Sequence, residues 1–170
     1  MIIDVILLGL ILIAVWFDVK ERRIPNRVIL AGLIAAMLNH LLRGDYMGFL
    51  LSIKGLALGI GLLIVPYLLG GLGAGDVKLL GMIGALKGGP FVINTFLWMA
   101  LIGGIIAVII LMHRQLLKET VLRLVRGLFL SWLGAGKFFD SVNQKEISVY
   151  YPYGVAIGLG VVATYVKGWW

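Results

Sequence analysis

Of the eight acidic residues in the sequence, two combine a residue type and a position that suit catalysis. Asp18 closes the first long apolar run and is followed by Val19-Lys20-Glu21-Arg22-Arg23 and then Ile24-Pro25-Asn26. Asp76 follows the stretch Gly70-Gly71-Leu72-Gly73-Ala74-Gly75 and opens another apolar run. Carboxylates next to hydrocarbon are costly and tend to mark function. Taken alone, Asp18 reads as an interfacial anchor and Asp76 as a helix N-cap whose carboxylate accepts backbone N–H bonds. As a pair they read differently. Two close carboxyl groups cannot both ionise easily, so one keeps a proton; the other then deprotonates a water while the protonated member donates a hydrogen bond to a carbonyl. That is aspartyl-protease chemistry. The remaining six, Asp4, Glu21, Asp45, Glu119, Asp140 and Glu146, read as solvated.

Other chemistries have less to work with. The absence of cysteine removes thiol nucleophiles, Cys-based zinc sites and iron–sulfur clusters. The two histidines, His40 and His113, fall at opposite ends of their apolar segments, a bilayer apart, and read as interfacial residues. Ser131 and Ser141 have no nucleophile-elbow pattern around them. A net charge of +7 invites a nucleic-acid reading, but no basic groove with interleaved aromatics accompanies it.

The elements that must position the pair are membrane segments. Hydrophobic residues make up 61% of the chain and charged ones 14%, against ~25% charged in a soluble domain. The pattern predicts an all-α polytopic membrane protein of one domain. Six transmembrane helices are expected, at about 2–17, 28–42, 49–69, 76–87, 91–112 and 152–168. The first carries Asp4 where a cleavable signal would be basic, and no small-residue cleavage site follows, so it is expected to be retained. The fourth is short and raises the alternative of a re-entrant hairpin. Basic residues decide: six crossings leave only Arg43, Lys54, Lys87 and Lys167 outside, whereas five crossings nearly even the two sides. The N-terminus is then outside and both carboxylates lie at the inner face. The glycine-rich stretch before Asp76 becomes irregular backbone near membrane depth, which survives only against protein or in a watered cavity. Small residues Gly81 and Gly84 are expected to let the fourth span approach a neighbour closely. Residues 113–151 form a cytoplasmic loop whose 113–134 part reads as an amphipathic interfacial helix, able to contact anionic membrane lipid.

At these residues the sequence resembles the type IV prepilin peptidase family, GxGD-type membrane aspartyl proteases. The resemblance rests on Asp18 with Ile24-Pro25-Asn26, on Gly73-Ala74-Gly75-Asp76-Val77-Lys78 opening the fourth span, and on Pro152-Tyr153-Gly154 opening the last. It implies removal of a short basic leader from prepilins, pilin-like proteins or archaeal preflagellins at the cytoplasmic face, in the inner membrane, with no metal or cofactor. Asp18 and Asp76 match the catalytic aspartates. Gly73 and Gly75 would shape the backbone around them, with Ile24, Pro25, Asn26, Pro152 and Gly154 as further support. Lys78 matches a position often occupied by Lys, as a charge neighbour of the dyad or as a residue snorkelling to the interface. Larger relatives carry paired CxxC motifs and also N-methylate their product; with no cysteine here, peptidase activity alone is expected.

Two rival readings use the same carboxylates. A presenilin-like intramembrane protease would need a Pro-Ala-Leu segment near the C-terminus and a Tyr-Asp on the first catalytic span, and neither is present. A small ion- or proton-coupled transporter could use the pair as its site, but gives the Ile24-Pro25-Asn26 segment no role.

Overall fold

The computed structural model describes residues 2–43, 46–113, 115, 122 and 153–168. Among them the chain is all-helical: α1 (Ile2–Glu21), α2 (Asn26–Arg43), α3 (Tyr46–Leu68), α4 (Ala74–Lys87), α5 (Gly89–His113) and α6 (Tyr153–Lys167). The amphipathic helix expected over 113–134 and the loop expected over 113–151 lie, apart from residues 113, 115 and 122, outside the described residues, as does Pro152. Two units divide the chain, one of residues 1–102 with 152–170, the other of residues 103–151. The packing and the site described below belong to the first.

Three helices, α1, α3 and α5, are long and apolar enough to cross a membrane, and α2 and α6 are shorter apolar helices. Their outward faces carry Leu12, Trp16, Leu41, Leu51, Val65 and Leu101, all more than half exposed. A protein that turns such residues outward is solvated by lipid rather than water.

The polarity of this arrangement is inverted at α4. Its 14 residues span only about 21 Å, yet all but the first two, Lys78 and Lys87 are buried. It is the central post, and α3 supplies most of its packing. The contact is made through small residues: a Cβ on Gly55 would strike the Gly84 carbonyl and a Cβ on Gly84 would strike the Gly55 carbonyl. One turn further along, a Cβ on Gly59 would lie 2.5 Å from the Leu80 carbonyl oxygen. The Ser52 hydroxyl donates to the Ala85 carbonyl at 2.6 Å. Close backbone approach and a satisfied buried hydroxyl are what hold helices together where lipid removes the hydrophobic incentive. α4 stops at Gly88, whose φ of 85° only glycine adopts easily; its N–H bonds the Gly84 carbonyl at 2.8 Å and α5 begins at once.

One boundary differs from expectation in a way that matters. The first span was expected to end at Asp18, but α1 continues through Val19-Lys20 to Glu21. It ends where Arg22 turns left-handed (φ 54°) and its N–H bonds the Asp18 carbonyl. The helix-breaking proline lies beyond, so nothing stops the helix sooner. Asp18 is therefore a buried interior residue of the helix, 8% exposed.

Candidate active site

The start of α4 is built by a backbone turn. After α3, Gly70 at φ 76° and the Gly71 N–H to Pro66 carbonyl bond reverse the chain. Gly73, with extended backbone (φ −82°, ψ 150°), then serves as N-cap. Asp76 occupies the third helical position, and its Oδ2 accepts the Gly73 N–H at 3.1 Å. This is the carboxylate half of a capping box, and the N-cap reading of Asp76 describes that oxygen. The other oxygen is different. Asp76 Oδ1 is buried and has no hydrogen-bond partner among the described residues, although the residue as a whole is only 7% exposed.

Asp18 comes to the same end of the bundle from α1. Its Oδ2 accepts the backbone N–H of Gly154, in the first turn of α6, at 2.7 Å. First-turn amides of a helix have no intrahelical acceptor and carry the positive end of its dipole, so they suit a carboxylate. The fit depends on glycine, because a Cβ at position 154 would stand 2.6 Å from that oxygen and 2.9 Å from the Asp18 Cβ. Asp18 and Asp76 lie within electrostatic reach of one another. Neither forms an ion pair among the described residues.

The supporting residues fall into contacts of their own. Ile24 packs on Gly75, where an added Cβ would come within 3.2 Å of the Ile24 Cβ. Pro25 precedes α2 and its carbonyl accepts the Val28 N–H at 3.0 Å. Lys78, on the exposed side of α4, donates to Asn26 Oδ1 at 3.1 Å. The connection between α1 and α2 is thus fastened to the first turns of α4 at two points. Lys78 engages that connection through Asn26; this contact belongs to neither of its two sequence readings.

Tyr153 is not among the site residues that the resemblance implies. It is half-buried at the first position of α6, next to Gly154, and within electrostatic reach of Asp76. Its place inside Pro152-Tyr153-Gly154 was the available signal. Among the described residues no three acidic or histidine side chains gather in a way that would hold a metal ion. His40 and His113 sit on α2 and at the end of α5.

Comparison with curated proteins and with solved structures finds no match. The model of the type IV leader peptidase family matches residues 5–108, a stretch that runs from the first turn of α1 into α5 and contains both buried aspartates. With more than half of its length in that match, the chain belongs to the type IV leader peptidase family, a family of proteases.

Proposed function

We propose that this protein is an aspartyl endopeptidase of the cytoplasmic membrane, crossing it six times with the N-terminus outside. It removes the short basic leader of a prepilin, pilin-like or preflagellin substrate at the cytoplasmic face. The observation that carries the reading is the buried, unpartnered Oδ1 of Asp76 within electrostatic reach of a second buried carboxylate, Asp18. A buried acceptor without a partner is expensive, and a site for an incoming water or substrate carbonyl accounts for the cost.

In the mechanism the dyad holds one proton between its two carboxyl groups. The ionised member removes a proton from water as the water oxygen attacks the scissile carbonyl carbon, and the protonated member gives its proton to the carbonyl oxygen. The tetrahedral diol collapses as a proton passes to the amine nitrogen and the C–N bond breaks, which frees the leader's carboxyl group and the new amino terminus. No acyl-enzyme forms. The Gly154 and Gly73 amides each hold one carboxylate oxygen and orient the two groups for these transfers. The leader's positive charges remain in the cytosol while the substrate's apolar helix lies in lipid.

The test is cleavage by purified protein in detergent, with no ion gradient, of pilin-like substrates carrying basic leaders, read by mass spectrometry. The reading requires a cut at one bond. Ion-coupled flux into liposomes without any cleavage would overturn it in favour of a transporter.

A further inference from the structure

The helices that carry the site are joined a second time at their far ends. At the end of α1 opposite Asp18, Asp4 Oδ1 accepts from Lys87 Nζ at 2.8 Å and from the Tyr165 hydroxyl at 2.8 Å. Lys87 is the last residue of α4 and Tyr165 lies in the last turn of α6. The ammonium also stands 5.3 Å from the ring centroids of both Phe91 and Tyr165. Those two rings meet edge to face at 5.1 Å. Only 9% of the Lys87 side chain is exposed, so its geometry is confined.

From this arrangement we infer that Asp4, Lys87 and Tyr165 form a remote positioning device, with Lys87 as its central positioning residue, that sets the axial register of α1, α4 and α6 and so the approach of Asp18 to Asp76. The inference rests on the dyad reading above. Each helix bears one element of both ends: α1 carries Asp18 and Asp4, α4 carries Asp76 and Lys87, α6 carries Gly154 and Tyr165. The two ends are about 17 to 21 Å apart along a helix at ~1.5 Å per residue. Helices are stiff along their axes, so fixing the far ends limits sliding at the site.

Packing alone leaves that register open. α4 is gripped along its length by α3, whereas α1 and α6 meet it sparingly. α1 and α6 touch each other at Gly158, where a Cβ would lie 2.8 Å from Val15 Cγ2, but a glycine contact tolerates small axial shifts. An ion pair whose lysine is only 9% exposed resists such shifts, since separating its members takes the counter-charge from a nearly buried ammonium, and fixing register is the best-attested use of buried ionic groups. A slip of one residue moves a carboxylate by about 1.5 Å, and misplacements of ~1 Å are enough to cost about 100-fold in rate.

The test uses the full chain in lipid nanodiscs. Because the sequence has no cysteine, Val19→Cys and Ala74→Cys introduce a unique pair of spin-label sites at exposed positions near the two aspartates. The label-to-label distance distribution and the kcat and KM for leader cleavage are measured in otherwise wild-type, Lys87→Met, Lys87→Arg and Tyr165→Phe backgrounds. Lys87→Met is expected to broaden the distribution and to lower kcat about 10- to 100-fold with KM within about 2-fold. Lys87→Arg, which keeps the cation, restores both, and Tyr165→Phe gives an intermediate effect. An unchanged distribution with wild-type kcat in Lys87→Met overturns the inference, as does an Arg variant as impaired as the Met variant. Should Lys87→Met fail to fold, Tyr165→Phe decides on the same readouts. If the unsubstituted enzyme cuts no leader while the distribution still follows Lys87, the protease reading fails and the positioning device stands.

Discussion

The two ends of α1 each carry an aspartate, and their surroundings are opposite. Asp4 is met by a lysine, a tyrosine hydroxyl and, behind the lysine, two aromatic rings. Asp18 and Asp76 receive one backbone amide each and no cation among the described residues. A carboxylate matched by a cation and a hydroxyl at the edge of a lipid-facing bundle is stabilised in its ionised form. Two carboxylates buried without a cation are a cost that packing does not repay, and one of their oxygens is left open. The contrast sets one acid paired with a cation against two buried acids that have none among the described residues, a distinction that residue type and depth in the sequence do not make.

The largest effect that would sharpen this contrast is expected at the dyad. Asp18→Asn or Asp76→Asn should lower single-turnover leader cleavage by about 1,000-fold or more, because each removes a proton donor or acceptor from the reaction. Asparagine keeps an acceptor for the Gly154 or Gly73 amide, so melting by circular dichroism should change little. Next is Gly154→Ala. The new Cβ would press on the Asp18 carboxylate, and kcat should fall by about 100-fold with KM little changed.

Changes away from the dyad should act on stability. Gly84→Ala drives a methyl into the Gly55 carbonyl and should cost about 1–3 kcal/mol, read as a lower midpoint in thermal or denaturant unfolding. Asp4→Asn removes the counter-charge of a lysine that is 9% exposed and should cost a similar ~1–3 kcal/mol, less than a fully buried pair because Asp4 itself is partly solvated. The smallest effect belongs to Lys78→Met. It removes an exposed hydrogen bond to Asn26, worth within about 0.5 kcal/mol, and should leave the pH dependence of kcat in place. A displaced pH profile would instead make Lys78 the charge neighbour of the dyad that its sequence position suggested.

Much of this was legible in the sequence because its signals are local. The six helices of the described residues fall within a few residues of the apolar runs, and the shortness of α4 follows from Asp76 and Lys87 near its ends. The motif residues mark Asp18 and Asp76, two carboxylates that the fold buries within electrostatic reach of one another. Gly81 and Gly84 announced a close helix contact. Their partners Ser52, Gly55 and Gly59 did not stand out, since small residues within an apolar run carry no register until the facing helix is known.

What was missed depends on pairs distant in sequence. Asp4 was read as solvated, and it is held by Lys87 and Tyr165, 83 and 161 positions away; a tally of charges on each side of a membrane treats such residues as independent. Tyr153 has no sequence signal beyond its place in Pro152-Tyr153-Gly154, although it is half-buried and within electrostatic reach of Asp76. The apolar run marks where hydrophobicity ends rather than where the helix does, since the backbone has no reason to leave the helix before Arg22.

The most direct test of the account compares Asp18→Asn, Asp76→Asn and Asp4→Asn side by side, with cleavage of a basic-leader substrate and thermal unfolding measured on the same preparations. The account predicts that the first two lose cleavage and keep the wild-type melting temperature, while the third melts earlier and still cuts the leader at a reduced rate. Wild-type cleavage by either the Asp18 or the Asp76 variant, in a folded protein, would contradict it.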